Sequence, residues 1–96
     1  MPQFANVTTV AVTSDTKITD NPGYVYWVAA SAGATGGKFQ LNNSTDDSGT
    51  DLFNLNIAAN SEVFLNFQHA PIHFGTAIYC DVPGTNLTVN IGHTGT

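Results

Sequence analysis

A chain of 96 residues, 42% hydrophobic and only 9% charged, suits one domain with a modest core. Its net charge is -5, and Lys17 and Lys38 are its only Lys or Arg residues. It therefore lacks the basic patch that nucleic acid or an anionic membrane surface demands. No apolar run approaches the ~20 residues of a bilayer span, and one cysteine, Cys80, makes no internal disulfide.

The chain opens with Met1-Pro2-Gln3-Phe4-Ala5-Asn6-Val7, which lacks the basic region and long apolar stretch of a secretory leader and reads as an N-terminal arm. Period-2 alternation then recurs, while helical spacing is nearly absent. "VTTVAVT" is the first strand. Asn21-Pro22-Gly23-Tyr24 places Pro before Gly, the pattern of a type II turn. "YVYWVAASA" is apolar enough for a central strand, with Tyr26 and Trp27 on opposite faces and one of the two in the core. "GATGG" is a loop and "KFQLN" a strand. "NNSTDDSGT" is a longer loop, rich in the residues that make turns.

The second half alternates more cleanly. In "DLFNLNIA", Phe53, Leu55 and Ile57 oppose Asn54 and Asn56. In "EVFLNFQ", Val63, Leu65 and Phe67 oppose Phe64, Asn66 and Gln68. In "TAIYCDV", Ile78, Cys80 and Val82 oppose Tyr79 and Asp81. A second Pro-Gly turn, Val82-Pro83-Gly84-Thr85, leads into "NLTVNI", where Leu87, Val89 and Ile91 oppose Thr88 and Asn90. About seven to eight short antiparallel strands in one domain spanning residues 1–96 predict an all-β fold, a β-sandwich or small jelly roll.

Reactive residue types are few. His69 and His73 are four apart, but Pro71 between them bars a helix. In an extended segment they stand about 13 Å apart at ~3.3 Å per residue, too far to share an ion. One His73 or His93 from each copy around a threefold axis is the remaining metal arrangement. Cys80 alternates with Ile78 and Val82 and reads as a core residue. Asp46, Asp47 and Asp51 lack the alternating ligands and final Glu of a calcium loop, so they read as a solvated loop. Glu62, the only glutamate, has no second carboxylate assigned opposite it. No catalytic site, metal or cofactor is expected. Outward Trp27, Phe64 and Tyr79, on sheets with few charges, have the composition of a protein interface.

The order "VAASAGATGGKFQL", "STDDSGTDLFNL" and "PIHFGTAIYCDVPGTNLTVNIG", over residues 8 to 92, resembles the small β-sandwich structural proteins of tailed bacteriophages, including capsid decoration (cement) proteins. The resemblance implies a non-enzymatic virion protein, trimeric, on the capsid exterior, with the major capsid protein as partner. The expected capsid or subunit interface is Pro2, Gln3, Phe4, Ala5, Asn6, Val7, Trp27, Phe64, His73 and Tyr79. The arm can add a strand to a neighbouring sheet. A glycan-binding or host-adhesion module, marked by an exposed aromatic platform flanked by Asn or Asp, is the alternative, as is a tail or neck component.

Overall fold

Alternating apolar residues bury one side of a strand and leave the other side open. The computed structural model, which describes residues 7–82 and 86–95, has nine strands placed by this rule. In chain order they are β1 (Thr8–Val12), β2 (Thr16–Thr19), β3 (Gly23–Ala32), β4 (Gly37–Asn43), β5 (Thr50–Ile57), β6 (Glu62–Asn66), β7 (Ile72–Phe74), β8 (Ile78–Asp81) and β9 (Leu87–His93). Every strand pair is antiparallel. A five-stranded sheet runs β1-β9-β3-β6, with β7 also on β3, and a four-stranded sheet runs β2-β8-β4-β5.

The fold is the all-β sandwich expected, with nine strands in place of seven to eight. The two additional strands are β2 and β7, of four and three residues. Runs so short carry almost no alternation of their own. They are strands because β8 and β3 offer them partners. The strands β6 and β7 lie end to end along the same edge of β3, pairing with Trp27–Ser31 and Gly23–Val25 respectively. The segment between them turns at Gln68 and His69, closed by the Ala70 amide donating to the Phe67 carbonyl at 2.9 Å. His69 is therefore an exposed turn residue, whereas His73 sits on a strand.

Between the sheets lies one apolar cluster, built from Val12, Val25, Val28, Phe39, Leu41, Phe74, Ile78, Cys80, Val89 and Ile91 among others. The rows read from "TAIYCDV" and "NLTVNI" supply their expected members to it. Burial of this kind contributes roughly 25 cal/mol per Å² of apolar surface, and nearly all the pairings that create it join residues distant in sequence.

One expected turn takes another form. Gly23 does not lie in the left-handed region; among the described glycines only Gly36 and Gly95 do. Gly23 instead opens β3 with its Cα directly against the Thr94 carbonyl, where a side chain has no room. The glycine answers a close approach of the C-terminal segment, not a type II turn. The second Pro-Gly turn lies outside the described residues.

Candidate functional site

The β3 strand was expected to send Tyr26 and Trp27 to opposite faces, with one in the core. The structure corrects this. Val25 pairs with His93 and Trp27 pairs with Gly92, so Tyr26 is an extra residue in the ladder to β9. Such a bulge lets two consecutive side chains share a side. Val25 and Val28 both enter the core, while Tyr26 and Trp27 are both only half-buried on the outer face. The Tyr26 carbonyl accepts from the Phe67 amide at 2.7 Å, which ties the bulge to the turn between β6 and β7.

This shift gathers aromatic groups along the outside of the five-stranded sheet. Tyr24 stacks on His73 with ring centroids 4.7 Å apart, and Tyr24 and Tyr26 are 6.3 Å apart. Trp27 lies over Gly92, whose Cα faces the indole ring, and its centroid is 6.1 Å from that of Phe64. Phe64 is 61% exposed and Tyr24 41% exposed. Aromatic pairs of this kind add about 0.5–1.5 kcal/mol beyond the area they bury. They fix the rings but leave them facing solvent.

The face has two ends. At one, β1 begins at Thr8, which pairs with His93, and His93 pairs with Val25. Here stand Tyr24, Tyr26 and His73, and Tyr24 is further held by its amide donating to the Thr94 hydroxyl at 3.0 Å. At the other end β3 finishes and β6 starts, with Ser31 opposite Glu62 and Ala29 opposite Phe64. The small side chains there leave a depression of about 390 Å³, bordered by Ser31, Glu62 and Asn90 and by the apolar Ala29, Ala30, Val63 and Phe64.

Of the residues expected at an interface, Trp27, Phe64 and His73 thus share one face. Tyr79 does not join them: it lies on β8, in the other sheet, opposite Lys17 and Asn42. Val7 is exposed beside the start of β1, and Pro2, Gln3, Phe4, Ala5 and Asn6 lie outside the described residues. Tyr24, Tyr26, Ser31, Glu62 and Asn90 also lie on this face. Pairing partners and the bulge unite them, and neither is a property of any single run of sequence.

The groups considered for chemistry have other roles. Cys80 is fully buried, and burial first, then the negative charges of Asp81 and Asp15, push its thiol up to about 12. A thiol so protonated is a poor nucleophile. His93 is 2% exposed with Nδ1 3.1 Å from the Thr94 carbonyl, so it does not reach a neighbouring copy. Asp46 organises its own loop: it accepts from the Ser48 amide at 2.9 Å and from the Ser44 hydroxyl at 3.1 Å. Hydrogen bonds from Ser48 and Ser44 hold its carboxyl below the usual aspartate range. Among the described residues no three His, Cys, Asp or Glu side chains gather as a metal-binding set. No family model matches the chain, and no curated protein or solved structure matches it either.

Proposed function

We propose that this chain is a non-enzymatic structural protein of a tailed bacteriophage, bound to the outer surface of the capsid as a decoration or cement protein. The reading rests on the resemblance of its strand and loop order to such proteins. The observation that carries it furthest is the uncovered Tyr24, Tyr26 and His73 cluster, at the end of the sandwich where β1 begins. Rigid aromatic groups with a polar tip give large contact area at small entropic cost, and they dominate binding energy where they occur. The chain enters β1 beside this cluster, so residues 2–7 and the aromatic end can engage the same capsid surface. The major capsid protein is the partner, and a homotrimer at a symmetry axis is the assembly. Repetition over a shell then makes modest single contacts sufficient.

The test is co-sedimentation of the purified chain with capsids that lack it. Saturable binding to the capsid exterior is expected, and the double variant Tyr24→Ala/His73→Ala should weaken it about tenfold or more, the loss of one aromatic anchor pair. Light scattering should give about 30 kDa, three copies of the 10.1 kDa chain. A folded, monomeric chain that never sediments with capsids overturns the proposal.

A further inference from the structure

The depression at the far end of the aromatic face has a chemistry that capsid docking does not use. Its floor is Ala29 on β3, flanked by Phe64 on β6 and Asn90 on β9, which pair with it from either side. One row further along β3, Ser31 stands opposite Glu62. One wall is therefore an exposed aromatic ring, Ala29, Ala30 and Val63 add apolar surface, and the remaining groups are a hydroxyl, an amide and a carboxylate. None of the Ser31, Glu62 and Asn90 side chains makes a hydrogen bond to another described residue. Together these groups offer three donors, counting the amide as two, and acceptors on all three side chains. They converge beside an apolar surface.

We infer that this depression binds a neutral hexose or N-acetylhexosamine unit of a glycan. A pyranose ring has an apolar C–H face, which suits the Phe64 ring, and hydroxyls along its edge that both donate and accept. Asn90 can do both toward adjacent hydroxyls, Ser31 can do either, and Glu62 accepts. A volume of about 390 Å³ lies near the lower end of ligand sites, about 300–1,000 Å³, and suits one or two rings. Glu62 selects the charge: it is the only charged residue on the strands of this sheet, and it repels sialic acids, uronic acids and sulfated sugars. A site for an apolar protein side chain has no use for three unpaired polar side chains, and here Ser31, Glu62 and Asn90 stand beside the apolar Ala29, Ala30, Val63 and Phe64.

The depression lies at the opposite end of β3 from Tyr24 and His73, so it stays open when that end is docked. The inference goes beyond the capsid reading and is tested separately from it. Amide resonances of the isolated chain are followed during titration with glucose, galactose, mannose, N-acetylglucosamine and, as the anionic comparison, sialic acid. Millimolar, saturable shifts with at least one neutral sugar are expected at Ser31, Glu62, Phe64 and Asn90, with none from sialic acid. Asn90→Ala and Phe64→Ala should each weaken binding about tenfold, the cost of one lost hydrogen-bonding or stacking partner, and Asn90→Ala, outside the expected capsid interface, should leave capsid sedimentation intact. No shift with any of the four neutral sugars overturns the inference. So does binding that Asn90→Ala leaves unchanged, or the same shifts produced by isopropanol alone, which would assign the depression to an apolar side chain of a protein.

Discussion

On the strands of the five-stranded sheet Glu62 is the only charged residue, and the outer face is carried by Tyr24, Tyr26, Trp27, Phe64 and His73. The four-stranded sheet carries Lys17, Lys38, Asp51 and Asp81 on its strands. The repulsions acting on Asp81 and Tyr79 bring in Asp15, Asp47 and, for Tyr79, Asp46. Both faces cover the same core with strands of similar length, so the core does not dictate the difference. Charge is costly to strip of water and aromatic area is favourable to bury. The aromatic face is therefore suited to contact and the acidic face to solvent.

The largest break in this contrast comes from Gly92. Its Cα lies under the Trp27 indole, and a side chain there meets the ring. Gly92→Val should displace Trp27 and separate it from Phe64. Overpacking of this sort costs about 1–3 kcal/mol. The expected readout is a lower unfolding midpoint together with a red shift of the fluorescence of Trp27, the only tryptophan. A variant that keeps both at the original values would show that Gly92 does not seat the ring.

How much of this was legible in the sequence depends on how each feature is encoded. Cys80 pointing inward, and the inward rows of β5, β6, β8 and β9, follow from strict alternation, which needs no partner to be read. The short strands β2 and β7 depend on partners far along the chain. The bulge at Tyr26 depends on a count against β9: nothing in "YVYWV" marks which residue is the extra one. For that reason Trp27 and Phe64 were visible as outward candidates, while their association with Tyr26 was not. Asn90 read as a plain outward residue and Glu62 as a lone carboxylate until pairing set them on either side of β3. Tyr79 shows the converse limit, since alternation gives a side of a strand but not which sheet the strand joins.

A second comparison concerns a polar group that the acidic side buries. Asn42 on β4, opposite Tyr79, is 1% exposed, and both polar atoms of its amide lack a hydrogen-bond partner among the described residues. An unsatisfied buried polar group costs about 1–3 kcal/mol, and an apolar group of similar shape removes that cost. Asn42→Leu should therefore raise stability by about 1 kcal/mol in denaturant unfolding, with an unchanged slope. Among the described residues, no position on the aromatic face offers a gain of this kind. A variant less stable than the parent would mean that the amide has a partner in solution.

The smallest effect is electrostatic and belongs to the acidic face alone. Partial burial raises the Asp81 carboxyl above the usual aspartate range, and so do a hydrogen bond with Asp15 and repulsion from Asp15, Asp47 and Asp51. A carboxyl raised in the folded state binds its proton more tightly folded than unfolded, so its ionised form opposes folding. That cost is fully present above the raised value. It fades as pH falls through that value toward the unfolded aspartate, about 3.9. Asp46 has the opposite sign: its lowered carboxyl contributes stability that is present above about 3.8 and lost below it. Asp81→Asn should accordingly stabilise the chain at neutral pH by about 0.5 kcal/mol, the scale of a half-exposed surface charge. Its advantage should shrink on acidification, as the parent protonates Asp81. The Asp15 carboxylate accepts from the Val82 amide at 2.9 Å, so it stays tethered when Asp81 changes, and the two effects can be separated. Melting curves of parent and variant that differ equally at neutral pH and near pH 4 would remove Asp81 as the source. The acidic face would then be no more than a solvated surface.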